Sequence, residues 1–277
     1  MRSFTSHDGT KLAYHVLGDG EPLVCVPGGA GRAAEYLGDL GGLHRHRQLI
    51  LLDNRGTGGS DEPEDKGTYR CDRLAADVEA LREHLGLGTM DLLGHSAGGG
   101  VALHYTARYP QRLRKLVLVT AVARPAGIVA SEEDMKAVWA RRAGEPWYPA
   151  AIAAWDSGEP SSEVPAPWDP LFYGRWDDQA RAHAAADPVQ RNPEAAAGYF
   201  ASGAFTPEAT VPLLAQVQAP VLVLGGELDG RPSAADCAAL AELFPAGETV
   251  VQPGGGHFPW LDDPAWFTSA VEGFLSR

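Results

Sequence analysis

The 277-residue sequence predicts an α/β fold: a mainly parallel sheet of about eight strands, flanked by helices and interrupted by one helical insertion. Three observations predict it. Short, continuous apolar runs recur along the chain, as strands covered on both faces require. Helical patterns alternate with these runs, which implies βαβ units. Between about 124 and 206 the alternation stops and no strand pattern appears, although five of the seven tryptophans fall there.

The strand-like runs are Lys11 to Leu17, Leu23 to Val26, Leu49 to Leu52, Met90 to Leu93, Leu116 to Val119, Val221 to Leu224 and Thr249 to Val251. Asp8-Gly9 turns the chain into the first, Pro27-Gly28-Gly29 ends the second, Asp53 the third and Gly94 the fourth. Asp72 to Leu85 is the best helix, with Leu74, Val78, Leu81 and Leu85 on one stripe. Asp72 is placed to cap it and Gly86 to end it. Ala97 to Tyr109 is stopped by Pro110, and Ala234 to Phe244 and Pro264 to Leu275 complete the helices of the core. The stretch 124–206 is too long for an ordinary loop. It is expected to form a helical cap with its own aromatic packing, inserted into a core made of 1–123 and 207–277.

Composition narrows the function. With 44% hydrophobic and 21% charged residues the chain is an ordinary soluble globular sequence. Its net charge of −13 argues against nucleic acid and against an anionic membrane as partner, since both are held through Lys and Arg. Cys25, Cys71 and Cys237 are odd in number and widely spaced, so neither a disulfide framework nor a zinc site is expected. The N-terminus has no apolar run, and no stretch reaches the roughly 18 apolar residues of a membrane span. A cytoplasmic protein acting on a small-molecule substrate is expected. Its oligomeric state does not follow from the sequence.

The chemistry is concentrated in a few stretches. Gly94-His95-Ser96-Ala97-Gly98 lies between a strand-like run and a helix, the context of a G-x-S-x-G elbow that presents a nucleophilic serine. A hydroxyl needs a base. His257, on the glycine-rich loop Gly254-Gly255-Gly256 after the last strand, is placed to supply one, whereas the other eight histidines are expected to be structural. The base needs an acid to fix its tautomer. Asp229 is the choice, with Glu227 its nearest rival, and no carboxylate occurs in Thr120-Ala121-Val122-Ala123 after the run ending at Val119. Oxyanion donors are expected from the amides of Ala97 and Gly29. The loop Gly28-Gly29-Ala30-Gly31 lacks both the P-loop lysine and the G-x-G-x-x-G spacing, so no nucleotide is expected, and neither a metal site nor a cofactor. Trp155, Trp176, Tyr199 and Phe200 are candidates to line a substrate pocket, with packing inside the cap as the alternative for each.

Over essentially its whole length the chain resembles the α/β-hydrolase superfamily, and within it the branch of proline iminopeptidases and related small-substrate hydrolases. Pro27-Gly28-Gly29-Ala30-Gly31 resembles the H-G-G-P-G loop of that branch. Asp53-Asn54-Arg55-Gly56-Thr57-Gly58-Gly59-Ser60 resembles D-x-R-G-x-G-x-S, and Gly256 to Pro264 resembles its histidine loop. The order Ser96, Asp229, His257 is the order of a triad in that superfamily. The sequence departs from the branch at Pro27 and Ala30, and in the cap, where Trp155-Asp156 stands for a W-E pair and Ala196 for the glutamate of E-x-x-Y-F; Glu194 is two residues out of register. The resemblance therefore implies a serine hydrolase of esters, lactones, thioesters or related acyl bonds. A proline iminopeptidase, and a biosynthetic or binding protein on the same scaffold that hydrolyses little or nothing, are the alternatives.

Overall fold

A computed structural model describes all 277 residues. Eight strands form one sheet: β1 (Arg2–Thr5), β2 (Lys11–Leu17), β3 (Pro22–Val26), β4 (Gln48–Leu52), β5 (Met90–His95), β6 (Leu113–Val119), β7 (Val221–Gly226) and β8 (Gly247–Gln252). Their order across the sheet is β1-β2-β4-β3-β5-β6-β7-β8. β1 and β2 run antiparallel to their neighbours, and every pairing from β4 to β8 is parallel.

The continuous apolar runs have the reason expected of them. Val24, Val26 and Leu92 enter the core on one face of the sheet, and Leu23, Cys25 and Leu93 enter the core on the other. The helices of the first face include α1 (Cys71–His84) and α2 (Ala97–Arg108). Five helices lie between β6 and the return to the core: α3 (Glu132–Trp139), α4 (Tyr148–Ser157), α5 (Asp178–Ala185), α6 (Asp187–Gln190) and α7 (Pro193–Tyr199). They are followed by α8 (Pro207–Leu214) and α9 (Ala234–Ala241), which pack on the first face, then α10 (Pro259–Asp262) and α11 (Pro264–Leu275). α11 covers the second face through Phe267, Val271 and Phe274. The three cysteines are buried and unpaired.

One local expectation is corrected. Asp72 does not cap α1: the helix begins one residue earlier, and the Asp72 carboxylate instead takes two hydrogen bonds from the Arg70 guanidinium, each 2.9 Å. β1 carries none of the apolar-run signal, because it is an edge strand that buries Phe4 alone.

The 124–206 stretch forms no strand; its only extended pairing is an isolated bridge between Arg191 and Arg32. That bridge, with Asn192 N–H donating to Gly31 (2.8 Å) and Ala33 N–H to Gln190 (2.9 Å), fastens the stretch to the loop after β3. Met135, Trp139, Ala151 and Leu171 form a small core within it, with Trp155 packed against them. The sheet order also fixes where a ligand would sit. The chain leaves β3 toward β4 on one side and reaches β5 on the other, so a crevice opens beyond the carboxyl ends of these neighbours. Val26 pairs with Gly94 there, which brings the glycine loop against the serine elbow.

Candidate active site

Ser96 sits between the end of β5 and the start of α2 with φ 51° and ψ −119°. A non-glycine residue in this region is strained. The flanking glycines explain how the turn closes. A Cβ on Gly94 would stand 2.6 Å from the Gly98 carbonyl oxygen, and one on Gly98 would collide with the Val26 carbonyl. The backbone is then held by Ser96 N–H to Val119 (3.0 Å) and by Gly99 and Val122 N–H groups on the Ser96 carbonyl, 2.9 and 2.8 Å.

The three residues chosen for a triad, far apart in sequence, converge. His257 Nε2 lies 2.9 Å from Ser96 Oγ, and His257 Nδ1 lies 2.7 Å from Asp229 Oδ2. Asp229 is fully buried, and its other oxygen accepts the Arg231 N–H at 2.9 Å. Nδ1 thus donates to a carboxylate, which leaves Nε2 as the acceptor facing the serine hydroxyl. The rival Glu227 is turned outward, onto Arg141 and the Gly254 N–H. The histidine loop is held by its backbone: His257 N–H donates to Phe172 (2.7 Å), and its carbonyl accepts from Thr120 Oγ1 (2.9 Å).

That carbonyl takes a further bond, from His95 Nε2 at 2.9 Å. His95 Nδ1 meets Tyr36 Oη at 2.6 Å, and Tyr36 Oη accepts the Gly28 N–H at 2.6 Å. A carbonyl accepts only, so His95 carries its proton on Nε2 and receives the Tyr36 hydroxyl proton at Nδ1. Burial, reinforced by the charge His257 gains when protonated, holds the His95 pKa well below the usual histidine value, so the ring stays neutral. Tyr36 occupies the Gly28 amide, whereas the Gly29 amide has no acceptor in the protein and lines the cavity in front of Ser96. Ala97, the first residue of α2, lines the same cavity. First-turn amides of a helix are free to donate.

The cavity holds about 620 Å³ and is walled from both parts of the chain, by residues near Ser96 and by Trp168, Phe172, Tyr173, Arg191 and Phe200. A larger cleft of about 1060 Å³ lies between the turns at 36–46 and α11, away from Ser96 and His257. Of the four candidate aromatic residues, Phe200 lines the Ser96 cavity. Trp155 lines a neighbouring cavity, with its ring edge-on to Trp139 at 4.9 Å between centroids. Trp176 packs on Tyr173, and Tyr199 is buried with its hydroxyl donating to the Ala97 carbonyl at 2.7 Å. Neither lines the Ser96 cavity, because their side chains are spent on internal packing. The acids that stand near the iminopeptidase cap positions are also elsewhere: Asp156 pairs with Lys136 and Glu194 with Lys66.

Sequence reasoning missed several residues of the cavity. Arg191 holds Asp187 through two hydrogen bonds, 2.6 and 2.5 Å, and Arg32 stands 3.5 Å from the same carboxylate. Asp169 accepts the Ala166 N–H at 2.8 Å, and burial raises its pKa to about 6. These residues carry no local motif; only the packing of 124–206 on the loop after β3 brings them together. Phe258 was legible as the neighbour of His257.

Comparison with known proteins fits this geometry. A profile of the alpha/beta hydrolase fold matches residues 21–264. The chain belongs to the α/β-hydrolase family. It is 37% identical over 120 residues to the cis-3-alkyl-4-alkyloxetan-2-one decarboxylase of Shewanella oneidensis, an alignment covering 43% of this chain and 38% of that one. It is 36% identical over 107 residues to a proline iminopeptidase of Saccharolobus solfataricus, covering 38% of this chain and 34% of that one. The chain thus spans well under half the length of these two curated relatives. Among solved structures, an esterase from a Rhodococcus species superposes over 99% of this chain and 98% of its own, with TM-score 0.77 and 27% identity.

Proposed function

We propose that the protein is a serine hydrolase that cleaves an ester, lactone, thioester or related acyl bond of a small molecule through an acyl-enzyme, with 124–206 acting as the cap over the site. The observation that carries this reading is the unbroken chain Ser96 Oγ, His257, Asp229, at 2.9 and 2.7 Å. His257 Nε2 takes the Ser96 proton as Oγ attacks the carbonyl carbon, and Asp229 stabilises the imidazolium that forms. The amides of Gly29 and Ala97 receive the developing oxyanion. His257 returns the proton to the leaving group as the carbonyl reforms; water, activated by His257, then attacks the acyl-enzyme and releases Ser96 and the acid. The reaction needs no cofactor. Acyl bonds are favoured over a peptide's N-terminal proline because the acids nearest the iminopeptidase pattern, Asp156 and Glu194, are paired outside the Ser96 cavity.

The test is turnover of a panel of aryl esters, lactones and prolyl arylamide by wild type and Ser96→Ala. Ester or lactone cleavage faster than arylamide cleavage, falling by on the order of 10⁶ in the variant, is the expected result. Cleavage undiminished in Ser96→Ala rules the mechanism out.

A further inference from the structure

Two guanidinium groups beside the Ser96 cavity have no carboxylate. Arg231 follows Asp229 by two residues and lines both the Ser96 cavity and a neighbouring one of about 470 Å³. Arg124, from the turn after β6, lines that neighbour, with its guanidinium carbon 5.4 Å from the centre of the Phe200 ring. Val122, Phe200 and Arg231 border both spaces, so the two cavities meet at these three residues.

Other arginines near the site are matched. Arg32 and Arg191 share Asp187, Arg141 takes Glu227, and Arg142 donates to the carbonyls of Pro170, Leu171 and Tyr173. Neither Arg124 nor Arg231 makes a side-chain hydrogen bond or ion pair; the hydrogen bond Arg231 gives comes from its backbone. Most nearby acids are committed. Glu132 and Asp156, on the neighbouring cavity, both hold Lys136 at 2.8 Å, Asp236 accepts from Ser233 at 2.8 Å, and Asp229 faces His257; Glu163, on the Ser96 cavity, is exposed and forms no ion pair with either arginine. The chain has 36 acidic side chains for 23 basic ones, yet none forms an ion pair with these two; Asp229 acts on Arg231 only from longer range.

Arg231 is open to solvent in the cavity but surrounded closely enough that partial loss of water, with the charge of Arg124, lowers its pKa. A cation in that position gains most from an anion that forms charge-assisted hydrogen bonds. The planar guanidinium fork matches a carboxylate in particular. We propose that Arg231 and Arg124 form a binding site for a carboxylate carried by the substrate away from the scissile bond. The protein then prefers monoanionic substrates, such as half-esters of dicarboxylic acids, to neutral ones of the same length. The reaction in this proposal rests on the hydrolase reading above; the anion site does not.

The first experiment compares para-nitrophenyl hydrogen glutarate with para-nitrophenyl valerate, which match in acyl length. Wild type should favour the glutarate by at least about tenfold in kcat/KM, expressed in KM, and about 0.5 M NaCl should narrow the preference. Arg231→Gln, which keeps the N–H that holds Asp229, should cut the glutarate-to-valerate ratio by roughly 10- to 100-fold, and Arg124→Gln should cut it less. No preference in wild type, or an unchanged ratio in Arg231→Gln, overturns the proposal. The second experiment is independent of turnover. Monomethyl and dimethyl glutarate are titrated calorimetrically into Ser96→Ala and into Ser96→Ala/Arg231→Gln. Tighter binding of the monoanion, lost by about tenfold or more with Arg231, supports the site; equal affinities overturn it. If neither nitrophenyl ester is cleaved in a Ser96-dependent way, the hydrolase reading fails and the titration alone decides the anion site.

Discussion

Tyr36 Oη accepts the amide of Gly28, donates to His95, and through His95 reaches the carbonyl of His257. One phenol therefore ties the loop that carries Gly29 to the loop that carries His257. Tyr36→Phe keeps the ring and removes the hydroxyl. It leaves a buried N–H and a buried imidazole nitrogen without partners, which costs about 1–3 kcal/mol of stability. Because Gly28 adjoins the amide proposed to receive the oxyanion, kcat for an ester substrate should fall by roughly tenfold or more while KM changes little, a split that reflects loss of a transition-state interaction. Denaturant unfolding and steady-state kinetics check the two effects; wild-type kcat in the variant would remove Tyr36 from any positioning role. The same contrast shows what a sequence can reveal at this scale. That Ser96, His257 and Asp229 meet was legible, because each sits in a local sequence pattern. Tyr36, Arg32, Asp169 and Arg231 sit in no pattern, since what gives them a role is contact across the fold.

Elements were legible where the apolar period is long and uniform. β3, β5, β6 and β7 are buried on both faces, and α1 shows its stripe. They were illegible where a single residue carries the burial, as Phe4 does in β1, or where a charged pair sets the boundary, as Arg70 and Asp72 do at the start of α1. In the D-x-R-G loop Asp53 pins the turn by accepting the Gly59 amide at 3.0 Å. Arg55 reaches further. Its guanidinium donates twice to Asp77 on α1, at 2.8 and 2.5 Å, and also to Asp8 before β2 (2.7 Å) and to Thr68 before α1 (2.6 Å). Arg55 and Asp77 are both buried, so the helix is docked to the strand ends by an ion pair that water does not relieve. Arg55→Ala strands the Asp77 charge and should destabilise the protein by about 3–5 kcal/mol. Arg55→Lys should rescue little of it, because an ammonium cannot serve these separated acceptors as a fork does. Replacing both partners, Arg55→Met with Asp77→Leu, should cost less than Arg55→Ala alone. Urea unfolding of the four proteins tests this ordering, and a double variant weaker than Arg55→Ala would contradict it.

At the scale of the whole molecule, three histidines, His95 and His104 buried and His183 partly so, resist protonation in the fold. Burial lowers the pKa of His95 and of His104, and burial with the charge of Arg32 lowers that of His183 to about 4. For each, the folded pKa lies below the unfolded value, so between the two the unfolded chain binds a proton that the native protein does not. Their contribution to stability is complete above about pH 6.5 and declines as pH falls toward the folded values. Asp169 acts in the opposite sense. Its folded pKa of about 6 exceeds the unfolded value, so it adds stability only as pH drops through 6. Burial raises the pKa of Asp262 as well, so the histidines and these two acids act in opposite senses as pH falls below 6.5. The chain's negative charge also shrinks over this range and relieves self-repulsion, so the clean measurement is a difference. His183→Gln removes one of the three groups and leaves the global charge term nearly unchanged. Its stability, from urea unfolding at closely spaced pH values, should fall less steeply than wild type below pH 6.5, by up to about 1.4 kcal/mol per unit. His183 also bridges the two parts of the chain, with Nδ1 on Tyr173 and Nε2 on the Tyr36 carbonyl. Protonation adds an N–H at Nδ1, the nitrogen that receives the Tyr173 hydroxyl, and leaves the Nε2 N–H on the Tyr36 carbonyl in place. Parallel slopes for the two proteins would show that His183 binds its proton as readily in the folded protein as in the unfolded chain, and would overturn the prediction.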